Sequence, residues 1–189
     1  MLTFDAATHT YRHQGRVVPS VTQILGPLTD LSMIPRDVLE RKRQIGTWVH
    51  EAIELDLQGN LDEDSIGEDW RGYFMGWRKF QAESGFVMQE AEQRVFSEKY
   101  DYAGTLDLLG ELPKAGQALI DTKCTATIYP TVGPQTAGYA EARGVPKAKR
   151  FALQLKPNGI YDLYPCQDRG DLGVFMAALT LFNWRKSWK

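Results

Sequence analysis

Residues 100–123, YDYAGTLDLLGELPKAGQALIDTK, constrain the fold more than any other stretch. Two apolar runs of strand length flank one short Pro/Gly turn, PKAG, so the chain must double back on itself as a β-hairpin. Yet Asp107, Asp121 and Lys123 interrupt these runs. A hairpin is a mirror about its turn. With Pro113 to Gly116 as the turn, residue 112 pairs with 117 and residue 107 faces about 122, one step from Asp121. Side chains alternate along a strand, so Asp121 and Lys123 share a face. Two carboxylates and an ammonium then converge on a mainly apolar sheet.

Crowded carboxylates persist where one is protonated or a cation lies between them. Two readings are open. In the first, Lys123 is that cation and the trio is an ion-pair cluster. In the second, Asp107 and Asp121 hold a hard divalent metal, which takes carboxylate oxygens, waters and substrate phosphate. Lys123 would then orient the attacking water and offset charge developing on a phosphate.

The flanking pattern predicts helices on either side of this hairpin. TYRHQGRVVPSV reads as a small hairpin turning at Gly15, and SVTQIL as a helix capped by Ser20 or Thr22. Ile45, Val49, Ile53 and Leu57 recur every four positions, predicting a helix from Pro35 to Leu57. Asn60 to Asp69 reads as loop. EDWRGYFMGWRKFQAESG is a third helix ended by Gly85, and its aromatic stripe reads as core. The period then changes to strands at 92–98, 102–112 and 117–125. PQTAGYAEAR is a short helix, residues 149–166 a hairpin around PNG, and residues 170–189 a closing helix. The expected class is α/β, a single domain of 189 residues with a central mixed sheet flanked by helices.

Composition limits function. No apolar run reaches a membrane span, and the N-terminus lacks a hydrophobic signal core, which predicts a cytoplasmic protein with no membrane partner. Two cysteines, Cys124 and Cys166, cannot supply four thiolates, which excludes a four-cysteine iron–sulfur cluster. A net charge of −2 leaves nucleic-acid binding to local patches. Arg41, Lys42 and Arg43 form one, PKAKR a second and the tail NWRKSWK a third.

Two further stretches carry candidate chemistry. GTWVHEAIE places His50 beside the buried stripe of the long helix, with Glu54 one turn on to hold its ring. PQTAGYA places Gln135 and Tyr139 on one helix face soon after the third strand.

Taken in order, these stretches resemble the PD-(D/E)XK nuclease superfamily. Asp107 followed by Asp121-Thr122-Lys123 is similar to its signature, GTWVH to the GxxxH motif of its RecB-like branch, and Gln135 with Tyr139 to that branch's QxxxY motif. The motif core spans about residues 46–139, and VPSVTQIL and the closing hairpin and helix resemble phage exonucleases and the mitochondrial genome maintenance exonuclease. Leu106 stands where the superfamily's name has proline. The resemblance implies one or two Mg²⁺ or Mn²⁺ ions held by Asp107, Asp121, His50 and the Thr122 carbonyl, with Lys123 as the catalytic lysine. It implies that Gln135 positions water or a DNA phosphate and that Tyr139 contacts the strand backbone. Glu92, Glu51 and Glu54 are further possible metal-linked carboxylates. Arg41, Lys42 and Arg43 would line a DNA channel. The implied activity is exonucleolytic cleavage from a free DNA end in phage-type recombination, replication or repair, with a recombination or single-strand-binding protein as a possible partner. The alternatives are a structure-specific or nicking endonuclease, and a non-catalytic nucleic-acid-binding module on the same fold.

Overall fold

Strand β5 (Tyr102–Leu112) and strand β6 (Gly116–Lys123) form the expected hairpin at the centre of the structure, a computed structural model that describes residues 1–188. The turn is one residue tighter than the sequence suggests. Leu112 pairs with Gly116, because Lys114 and Gly116 both take positive φ, 66° and 75°, and close the loop within three residues. Continuing that register puts Asp107 opposite Asp121.

The hairpin sits in a five-stranded sheet of order β4-β5-β6-β7-β8, completed by β4 (Val87–Ser97), β7 (Lys149–Leu155) and β8 (Tyr161–Pro165). Only β6 and β7 are parallel, joined by the crossover helix α4 (Val132–Arg143), so the sheet is mixed. Strand β4 begins five residues earlier than its apolar alternation signals, at Val87, because pairing with β5 holds its polar first half extended. An unexpected strand, β1 (Leu2–Asp5), joins β2 (Thr10–His13) and β3 (Arg16–Val18) in a separate three-stranded sheet.

Helices cover both faces. Helix α2 (Arg36–Leu57) and α3 (Glu68–Ser84) pack on Leu108, Ile120, Leu153 and Leu155. Helix α1 (Val21–Leu25), α4 and α5 (Asp171–Lys186) pack on Leu106, Leu109 and Leu119 on the opposite face. The α3 stripe is core: Trp70, Tyr73, Phe74, Trp77 and Phe80 are all buried. Each such side chain removed from water contributes roughly 1.5–3 kcal/mol. Ser20 is the α1 cap, accepting from the Gln23 N–H at 3.1 Å while the Gln23 side chain accepts from the Ser20 N–H at 3.0 Å. Among the described residues no helix is long and apolar enough to cross a membrane.

One irregularity positions the site. Strands β5 and β6 pair only as far as Leu108–Ile120, although both run on. Beyond that point β6 stays with β7, while the other end of β5 bridges to the segment before α1, where Ala103 N–H donates to Pro19 O at 2.9 Å. Between these attachments the edge of β5 is open, and Thr105 and Asp107 line the resulting cleft.

Candidate metal and catalytic centre

Where β5 and β6 part, the Asp107 carboxylate occupies the gap. Its Oδ2 accepts from the Thr122 N–H at 2.6 Å and the Thr122 hydroxyl at 2.7 Å. The Thr122 hydroxyl also meets His50 Nε2 at 3.1 Å, and that nitrogen lies 3.8 Å from Asp107 Oδ2. The opposite ring nitrogen, Nδ1, lies 3.1 Å from Glu92 Oε1. Ligand atoms of His50, Glu92 and Asp107 all fall within 4.8 Å of one another. The two carboxylates overcome the effect of burial on the imidazole, which alone would lower its pKa, and raise it to about 9.

Asp121 lies on the other face of β6 and is only 1% exposed. Burial raises its pKa to about 6 against the opposing pull of Lys123. Lys123 Nζ lies 2.5 Å from Asp121 Oδ2, a buried ion pair. Burial also opposes the charge on Lys123, yet Asp121 and Asp107 outweigh it and raise its pKa. Gln135 Nε2 donates to Asp121 Oδ1 at 3.0 Å and to the Tyr139 hydroxyl at 3.2 Å. The Tyr139 ring in turn fills the space above Gly104, where a Cβ would come within 2.5 Å of it.

These groups line one cleft of ≈ 280 Å³, which contains His50, Glu92, Asp107, Asp121, Lys123, Gln135 and Tyr139. The structure therefore brings together the sequence candidates from α2, β4, β5, β6 and α4. Thr122, expected to offer its carbonyl, engages the cluster through its N–H and hydroxyl. Tyr139 is 4% exposed and forms part of the cleft wall.

Other candidates lie elsewhere. Glu51 and Glu54 are exposed, and Glu54 accepts from Gln58 at 3.2 Å, so Glu92 and not Glu54 holds the His50 ring. The reason is helical: α2 buries Ile45, Val49, Ala52 and Ile53, which leaves His50 at the edge of the buried face and turns Glu51 and Glu54 away. The three basic residues diverge for the same reason. Arg41 pairs with Asp69 at 2.9 Å and Lys42 donates to the Tyr73 hydroxyl at 3.0 Å. Arg43 is two turns from His50 on the same side of α2, its nearest acid Glu40 at 4.0 Å. They do not form one lining.

The N-terminal segment adds His9, Tyr11, Ser20 and Thr22 to the cleft, with the Tyr11 hydroxyl 2.7 Å from Thr105 Oγ1. Of these only Ser20 and Thr22 carry a sequence signal, as the two candidate caps of the SVTQIL helix. Glu92 has a structural signal of its own. It sits mid-strand at φ 45°, a left-handed conformation that non-glycine side chains disfavour. Such strain persists where surrounding contacts over-determine it, often at functional sites.

A divalent ion fits this donor set. One imidazole and two carboxylates already converge, and the Asp121 carboxylate, paired with Lys123, lines the same cleft.

No protein-family model and no curated protein matches the sequence. Solved structures of similar shape include LHK-Exo in complex with dAMP, with TM-score 0.41 and 11% identity over 89% of this chain and 87% of that one. Another is an alkaline exonuclease (LHK-Exo) from Laribacter hongkongensis, with TM-score 0.41 and 11% identity over 88% of this chain and 86% of that one.

Proposed function

We propose that this chain is a divalent-metal-dependent nuclease of the PD-(D/E)XK type, in its RecB-like branch, that hydrolyses DNA from free ends. The observation that carries the reading is the convergence of His50, Glu92, Asp107, Asp121 and Lys123 on one cleft at the fork between two strands. The order of the sequence motifs supports the same reading.

His50, Glu92 and Asp107 would hold the ion, with Asp121 facing it from the neighbouring wall. Bound there, Mg²⁺ or Mn²⁺ would stabilise charge on the phosphate and ease deprotonation of water. The protein's own groups do the rest. Lys123, kept protonated by Asp121 and Asp107, is a cation and not a base in the resting state, and it offsets charge that builds on the phosphoryl oxygens during in-line attack. Gln135 fixes one oxygen of Asp121 and is itself tied to Tyr139, which keeps the carboxylate from rotating. In this reading Gln135 and Tyr139 are positioning residues.

The test is digestion of end-labelled linear DNA beside covalently closed circular DNA, single- and double-stranded, with Mg²⁺, Mn²⁺ or EDTA. The expected result is metal-dependent loss of linear DNA and survival of the circles. Rapid cutting of both circles at equal enzyme would assign an endonuclease, and absence of any metal-dependent cleavage would leave a binding module.

A further inference from the structure

We infer that the groove between α1 and α5 is a docking site for a partner peptide that combines large apolar side chains with carboxylates. A cavity of ≈ 430 Å³ lies there, sharing no residue with the metal cleft. Its floor is apolar, formed by Ile24, Leu28, Leu181 and Phe182. Leu28 and Leu181 are 47% and 55% exposed, although neighbouring α5 residues Phe175 and Leu179 are buried. An apolar concavity of this size, open to water, is the form of a recognition site.

Charge decides the occupant. The charged residues that line the groove are Arg185 and Lys186, and no carboxylate lines it. Neither makes an ion pair among the described residues. Two cations therefore stand at one end of an apolar trough on a protein whose net charge is −2. Ala178, Leu181, Phe182 and Arg185 form a single stripe along α5. From 178 to 185 the stripe runs about 10 Å at 1.5 Å per residue, the reach of about three extended residues. The matching segment places two apolar side chains in the trough and a carboxylate within about three residues of them. A nucleic-acid strand would satisfy the cations but leave the aliphatic floor uncovered. A second copy of this chain would bring its own Arg185 and Lys186 against the first pair if the contact were symmetric.

The proposal is tested by fluorescence anisotropy with the full chain and a panel of labelled octapeptides. In each, two residues chosen from Leu, Ile and Phe are flanked by aspartates, and lysine-flanked counterparts serve as controls. The expected result is saturable binding of aspartate-flanked peptides that weakens with salt, and none for the lysine set. Arg185→Glu combined with Lys186→Glu weakens the aspartate peptides at least about tenfold and admits lysine peptides. Leu181→Asp, on the exposed floor, abolishes binding of the aspartate-flanked peptides while leaving the circular dichroism spectrum and basal nuclease rate unchanged. The proposal fails if no aspartate-flanked peptide binds the folded protein, or if both charge classes bind alike. It also fails if a labelled single strand of DNA binds at Arg185 and Lys186 in place of peptide. Self-association that Leu181→Asp abolishes, without peptide binding, assigns the groove to a second copy.

Discussion

Lys123 and Glu92 carry opposite kinds of strain at the site, one electrostatic and one conformational. Lys123 is held charged against burial by two carboxylates. Lys123→Ala should leave the fold intact and lower the cleavage rate by about 10²–10³, the usual cost of one electrostatic stabiliser. A folded variant that cuts within a few-fold of wild type would show that Lys123 is only the counter-ion of a structural cluster. Glu92 is held at φ 45° in a strand. Glycine accepts that conformation freely and alanine does not. In EDTA, Glu92→Gly should therefore be more stable than Glu92→Ala by about 1 kcal/mol, measured by denaturant midpoint. Both variants should lose Mn²⁺ affinity equally in a calorimetric titration, because both lack the carboxylate. Equal stability with unequal metal binding would remove the strain account.

Each element brings one or two groups, and its packing sets where they point. Gly104 on β5 is the clearest instance, because its missing side chain is the seat of the Tyr139 ring from α4. Gly104→Ala puts a methyl group 2.5 Å from that ring and forces α4 outward. Overpacking of this kind costs about 1–3 kcal/mol, and here it should also lower cleavage, since Tyr139 steadies Gln135 and Gln135 steadies Asp121. Combining it with Tyr139→Ala should return part of the stability but not the activity, read from thermal melts and end-label release. Much of this layout was legible in sequence. The β5–β6 hairpin, the α2 stripe and the QTAGY helix follow from local period and turn chemistry. The one-residue error in hairpin register arose because nothing in PKAG announces that Lys114 accepts positive φ. The His50–Glu92 contact was only weakly foreshadowed, since it spans 42 residues and depends on a kink within β4. The N-terminal wall was not legible either. It depends on long-range contacts, among them the Ser20–Ala103 bridge and the Tyr11–Thr105 hydrogen bond, which periodicity cannot encode.

At the scale of the whole molecule, the site's charges set how stability responds to pH. Glu90 and Asp101 are held below the ordinary carboxylate range by hydrogen bonds from Arg143 and Arg16. Their contributions are lost only as pH falls through that low range, so they are constant above it. Asp121 behaves in the opposite way. Its pKa is raised by burial from 3.8 to about 6, so between these values the folded chain binds more protons than the unfolded one. The resulting stability is fully present below 3.8 and is lost as pH rises through about 6. His50 has the same sign for a different reason. The carboxylates raise it from 6.5 to about 9, and its contribution, whole below 6.5, is lost as pH rises through about 9. The two windows adjoin, so the metal-free protein should melt at progressively lower temperature from about pH 5 to about pH 9. A bound divalent ion reverses the sign. It requires carboxylate and neutral imidazole, so its affinity rises with pH and stabilises the fold most where the metal-free protein is weakest. Melting curves across this range, in EDTA and in saturating Mn²⁺, should therefore diverge steadily toward alkaline pH. Asp121→Asn should flatten the lower part of the EDTA curve and His50→Ala the upper part. A metal-free melting temperature that climbs between pH 5 and pH 9 would mean that these groups are not charged against one another in the fold, and the electrostatic basis of the site would have to be abandoned.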